Sequence, residues 1–144
     1  MDSIDDIAAR LRVVIRLVYR RVQTETGEGS PTRSEQAAMS WLDERGSMTL
    51  GALAALEQVR QQSMSQSVDA LEQRGWAQRA PDPNDRRQVI VSLTENGREA
   101  LEIGRSVRQA WIVDAMTRLL SEDERRALSQ SLDLLERIAR AERE

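Results

Sequence analysis

The sequence predicts a mainly α-helical fold carrying one small β hairpin, and three observations predict it. Apolar side chains recur every three or four residues over most of the chain. Several of these runs open on Ser or Thr with an acidic residue three positions later, the spacing of a capping box. Only residues 82–94, DPNDRRQVIVSLT, break the pattern: a turn cluster there leads into alternating side chains. With 144 residues, 16.3 kDa and 40% hydrophobic content, the chain has material for one domain with one core, and no repeat, low-complexity tract or linker interrupts it.

The elements follow in order. Ser3 with Asp6 opens a long amphipathic helix carrying Ile4, Ile7, Leu11, Val14, Ile15, Val18 and Val22, stopped by Gly27 and Gly29. Thr32 with Glu35 opens a second helix with Ala38, Trp41 and Leu42 on its apolar face and Gly46 at its end. Thr49 caps a short third helix bearing Leu50, Leu53, Ala54 and Leu56. A fourth helix runs from about Arg60 to Arg74, before Gly75. Its apolar stripe is narrow, only Met64, Val68 and Leu71, and its outer face is polar but almost uncharged: Gln61, Gln62, Ser63, Ser65, Gln66 and Gln73. Strands from Trp76 to Arg79 and from Val89 to Leu93 bracket the DPND turn. Thr94 caps a helix carrying Leu101, Val107, Trp111, Ala115 and Leu119, and Ser121 with Glu124 opens the last, with Leu128, Leu132, Leu135 and Ile138.

Composition excludes much chemistry. The chain has no Cys and no His, which removes disulfides, thiol sensing, Ser-His and Cys-His catalysis and the usual zinc ligands; no metal or cofactor is expected. Asp82, Asp85, Asp123 and Glu124, the carboxylates an enzyme would need, sit at turns and caps that explain them locally, so the chain is not read as an enzyme. All 21 basic residues are arginine, the better partner for phosphate and narrow grooves, and a GC-rich genome would also produce that bias. Net charge is −3 and mean hydropathy −0.57, so any nucleic-acid contact must come from local placement. No apolar run approaches the roughly 20 residues of a membrane span, and Asp5, Asp6, Arg10, Arg12 and Arg16 stand where a signal peptide needs apolar residues; a cytoplasmic location is expected.

Two short helices meeting at a tight turn and followed by a hairpin form a winged helix-turn-helix arrangement, whose second helix enters the major groove while the hairpin touches the neighbouring backbone or minor groove. The segment SMSQSVDALEQRGW (63–76) followed by DPNDRRQVIVSLTENG (82–97) closely resembles the MarR-type family of bacterial winged helix-turn-helix transcription regulators. The marks are a V-D-x-L-E-x-x-G helix end, an aspartate-x-arginine wing tip and L-T-x-x-G opening the next helix. The resemblance implies a single MarR-like domain over 1–144, with the winged helix-turn-helix at about 32–97 and dimerisation helices at about 2–26 and 98–142. It implies a homodimeric DNA-binding repressor of a palindromic operator, with release by a small aromatic or lipophilic effector.

On this resemblance Gln62 and Gln66 are the candidates for base contact, since glutamine can pair bidentately with adenine, with Arg60, Gln61, Ser63 and Ser65 beside them. Arg60 stands where many relatives have a small capping Ser or Thr, and Gln62 where many have proline, so this helix begins differently. At the wing, the resemblance implies that Arg87 enters the minor groove and Arg86 reaches phosphate, with Asp85 steadying the tip and Asp69 pairing with the wing arginine. Arg74 and Arg79 read as surface or packing residues. Arg16, Tyr19, Trp41 and Trp111 have the chemistry to hold an anionic aromatic effector, although both tryptophans lie on apolar helical faces that equally suit a core. From 59 to 97 five arginines face five carboxylates, so affinity must rest on a few placed contacts. A winged-helix module that binds another protein without reading DNA is the competing reading.

Overall fold

The computed structural model describes residues 1–25, 27 and 29–141. Its elements are α1 (Ile4–Gln23), α2 (Arg33–Arg45), β1 (Met48–Thr49), α3 (Leu50–Glu57), α4 (Gln61–Gln73), β2 (Ala77–Pro81), β3 (Val89–Leu93), α5 (Glu95–Leu119) and α6 (Glu122–Ala139). The three capping boxes form as the spacing predicts: Ser3, Thr32 and Ser121 each accept from the backbone N–H three residues on, and Asp6, Glu35 and Glu124 return the bond. Among the described residues no helix is long and apolar enough to cross a membrane.

The chain forms two compact units, Met1–Arg108 and Gln109–Glu144. The core of the first gathers Ala38, Met39 and Leu42 of α2, Leu50, Leu53 and Ala54 of α3, Met64, Val68 and Leu71 of α4, Ala77 and Val91 of the sheet, and Leu101 of α5. Helix α4 begins without a side-chain cap, because Arg60 at its N-cap makes none. A missing cap costs about 1 kcal/mol, whereas each fully buried Leu, Val or Met contributes about 1.5–3 kcal/mol, so packing decides that this helix forms. In the second unit, α6 is capped by Ser121 and buries no residue.

The sheet departs from the expected two-stranded wing. Its order is β1-β3-β2, with Met48 opposite Val91 and Ala77 opposite Leu93, both pairings antiparallel. The third strand is two residues long, and Thr49 at its end is also the N-cap of α3, so the strand leads directly into the helix-turn-helix. The hairpin runs to Pro81 rather than stopping at Arg79.

Thr94 and Gly97 pin α5 to this lobe. The Thr94 N–H donates to the Trp76 carbonyl at 3.0 Å and its hydroxyl donates to the Gly75 carbonyl at 2.5 Å while accepting from the Gly97 N–H at 3.0 Å. A Cβ at Gly97 would be driven into the Trp76 carbonyl oxygen, so the approach requires glycine. Farther along α5, Arg98 and Arg105 both reach Asp43 of α2, at 3.5 and 3.0 Å.

Candidate nucleic-acid interface

Helix α3 ends at Glu57, the chain turns through Gln58, Val59 and Arg60, and α4 begins at Gln61. Gln58 holds the turn with φ +57°, the one positive φ among described non-glycine residues, and its N–H donates to the Ala55 carbonyl at 3.2 Å. With Met64, Val68 and Leu71 turned into the core, Gln62, Ser63 and Gln66 stand exposed on the outer side of α4. Gln61 is also exposed but faces the wing: it lines a cleft of about 390 Å³ with Thr49, Gly51 and Arg87. Arg60 is exposed beside the helix N-terminus with no ion pair among the described residues. A cation at this end of a helix opposes the macrodipole.

Ser65 differs from its neighbours. Its hydroxyl and its carbonyl both accept from Arg79 Nη2, each at 2.9 Å, so it braces the helix instead of standing free on the exposed face. Asp69 likewise pairs with Arg79, at 2.5 Å, and not with Arg87 as the resemblance implied. Arg79 binds Glu72 as well, which makes this β2 arginine the link between wing and helix. The arginine of the wing tip pairs with Asp85 instead.

At that tip the Arg87 N–H donates to Asp85 Oδ1 at 3.1 Å, and Arg87 Nε reaches the same oxygen at 3.1 Å. These bonds, the side-chain one first, hold the Asp85 carboxyl below the ordinary aspartate range. The Asn84 N–H bonds Asp82, and the Gln88 N–H donates to the Asp85 carbonyl, which closes the turn. The Arg87 side chain remains 91% exposed despite its brace. Arg86 is exposed on the outer edge of the hairpin. Arg74 is occupied internally: its Nη1 donates to the Gly29 carbonyl at 2.8 Å and its guanidinium lies 4.7 Å over the Trp76 ring.

Of the expected effector residues, two share a cleft. Arg16 and Tyr19 line a cleft at the end of α1, where Arg33 stacks 4.6 Å over the Tyr19 ring. Trp41 is fixed against the core, its indole N–H donating to Glu57 Oε2 at 2.8 Å under the Arg45 guanidinium. Trp111 lies half-buried on α5 within the second unit. A different cavity, about 310 Å³, opens between the α1–α2 loop and α5, walled by Pro31, Trp76, Leu101, Ile103 and Val107, with Arg108 beside them. Burial, and then the neighbouring charge of Arg105, lowers the Arg108 pKa, and no carboxylate pairs with it among the described residues.

The MarR family model matches residues 32–89, which spans α2 through the start of β3. An HTH-type transcriptional regulator of Mycobacterium bovis is 33% identical over 135 residues, 94% of each chain. A crystal structure of a putative transcriptional regulator from Pseudomonas aeruginosa superposes with a TM-score of 0.82 at 30% identity, covering 95% of each chain. The chain belongs to the MarR family of transcription regulators. Apo wild-type MarR from Escherichia coli shares the fold at a TM-score of 0.79 and 22% identity, covering 93% of this chain and 98% of that one. In this MarR-family chain, α3 and α4 form the helix-turn-helix and the β2–β3 hairpin the wing of a transcription regulator.

Proposed function

We propose that the chain is a homodimeric repressor that inserts α4 of each protomer into successive major grooves of a palindromic operator and sets Arg87 in the adjoining minor groove. One observation carries this reading, the state of the five arginines between residues 59 and 97. Arg74 and Arg79 are bound by the protein's own acceptors, whereas Arg60 at the start of α4 and Arg86 and Arg87 on the wing are exposed. Arg79 offsets one of the two charges of Asp69 and Glu72, and the segment as a whole stays balanced, so attraction to DNA rests on where Arg60, Arg86 and Arg87 stand. Arg60, placed against the helix dipole, gains the most from a phosphate partner.

Gln62 and Gln66 would read base edges, Arg60 and Arg86 would bind phosphate, and Asp85 would hold Arg87 in shape. Two phosphate-bound arginines per protomer give a dimer a salt slope of roughly 3.6, on the modest side for a repressor. Dimerisation is supported by α1, which buries no residue within the chain and leaves Ile4, Ile7, Ile15, Leu17 and Val18 exposed. Repression is supported by a Bacillus subtilis relative, 23% identical over 127 residues, that is named a transcriptional repressor. For release, the cavity beside α5 suits an amphipathic anion, with its apolar part against Trp76 and Leu101 and its charge on Arg108. The carboxylates of small aromatic acids fit that description.

The test begins by enriching random-sequence duplexes on the wild-type protein. The enriched duplex should contain two inverted half-sites about 10 base pairs apart, a spacing set by the helical turn. In gel shifts, Arg87→Ala should lower its affinity for that duplex about tenfold, within the 1–3 kcal/mol of one good groove contact. If wild type and Arg87→Ala bind all sequences equally weakly, the reading is wrong.

A further inference from the structure

We infer that Arg79, a residue that touches no base, is the positioning residue that makes base readout by α4 specific; this rests on the DNA reading above. Its guanidinium, on β2, binds three residues of α4 at once: the Ser65 hydroxyl and carbonyl at 2.9 Å each, Asp69 at 2.5 Å, and Glu72. The side chain is only 22% exposed, so this is a partly buried clamp and not a loose surface pair.

The spacing of the clamped residues carries the argument. Ser65, Asp69 and Glu72 stand at i, i+4 and i+7 and form one stripe along α4. Met64, Val68 and Leu71 form the buried stripe with the same spacing, shifted by one residue, about 100° around the helix. Gln62 and Gln66 fall on the far side of the clamp stripe, roughly 180° from the core. A helix held by one stripe can roll on it, and the core stripe is narrow and includes a flexible Met. A second stripe fixed to the wing removes that freedom.

The magnitude of roll that matters is small. With side-chain ends about 6 Å from the axis, a 20° rotation displaces a glutamine amide by about 2 Å. Hydrogen bonds to base edges survive only between about 2.7 and 3.2 Å, so such a roll abolishes readout while leaving the fold and the exposed arginines in place. The clamp also ties the wing to the helix, so Gln62, Gln66 and Arg87 address DNA as one rigid set.

The experiment compares two duplexes of equal length, the sequence enriched by wild type from a random pool and a scrambled version of it. Arg79→Met should bind the enriched duplex about tenfold to a hundredfold more weakly, the value of one or two lost base contacts, with scrambled-duplex affinity and salt slope unchanged. Arg79→Lys, a point charge that cannot bind all four acceptors, should recover only part of the loss. Should Arg79→Met not fold, the double variant Asp69→Asn with Glu72→Gln is measured on the same duplexes against the same expectation. Equal losses on both duplexes with a salt slope reduced by about 0.9 would make Arg79 a phosphate contact, and unchanged discrimination would make it a stability residue; either overturns the inference. If wild type enriches no sequence, the DNA reading itself falls, and that is visible before any variant is compared.

Discussion

Helices α1 and α4 are both amphipathic, yet they leave opposite faces without a partner. In α4 the apolar stripe is fully used, with Met64, Val68 and Leu71 buried, and the polar face is free. In α1 no residue is buried, and the apolar face, with Ile4 84% and Val18 53% exposed, is the free one. Burying such side chains is worth about 1.5–3 kcal/mol each, so α1 calls for an apolar partner such as a second chain. An unused amide face with Arg60 at its start, and exposed arginines on the wing, calls for a polar and anionic one. On the proposed reading, the two kinds of vacancy separate the surface for assembly from the surface for DNA.

That contrast is broken most directly by charging α1. In the proposed dimer, Val18→Asp would place an unpaired carboxylate in the α1 interface, at about 3 kcal/mol or more, and should weaken association over a hundredfold in sedimentation equilibrium. Gln66→Ala should leave the sedimentation unaltered. If Val18→Asp sediments as wild type does, the apolar face of α1 is not the assembly surface. The next largest effect concerns the joint that fixes the start of α5 to the winged lobe. Gly97→Ala drives a methyl into the Trp76 carbonyl, an overpacking that should cost about 2 kcal/mol and lower the thermal midpoint seen by circular dichroism. Gly27→Ala, where a Cβ meets nothing within 4 Å, should leave the midpoint in place and so serves as the control.

How much was legible in the sequence follows the range of the interactions. The capping boxes at Ser3, Thr32 and Ser121, the Thr49 and Thr94 caps and the buried stripe of α4 depend on residues three or four apart, and each could be read from spacing. The strand at Met48 and Thr49 could not be read, because two residues show no alternation and their pairing partner lies more than forty positions away. The resemblance ties Asp69 to the wing tip, but Arg87 bonds the local Asp85, and Arg79 reaches Asp69 from β2. The i, i+4, i+7 spacing of Ser65, Asp69 and Glu72 was the available signal for that clamp. The Arg108 cavity arises from packing of the α1–α2 loop on α5 and had no linear signature, while Trp41 took the core alternative that its apolar face had offered.

The smallest effect sharpens the contrast at the helix starts. Helix α1 is capped through the Asp6 carboxylate and α6 through Glu124, which accept from the Ser3 and Ser121 N–H groups at 3.1 and 2.8 Å; α4 begins at Arg60 with no carboxylate. The Ser3 side chain and then its backbone lower the Asp6 pKa, and the Ser121 backbone and then its side chain lower that of Glu124. A depressed folded pKa means that the stabilisation is present above the unfolded value of about 4 and is lost as pH falls through the folded one. Acid should therefore loosen the starts of α1 and α6 and spare that of α4. In NMR titrations the Ser3 and Ser121 amide shifts should move with midpoints below the ordinary carboxylate range, while the Met64 amide, bonded to the Arg60 carbonyl, should stay level over the same range. Ordinary midpoints at Ser3 and Ser121 would show that the capping carboxylates do not favour the folded helix starts. A Met64 shift that titrates with them would show that the reading helix depends on a carboxylate the Arg60 start does not contain.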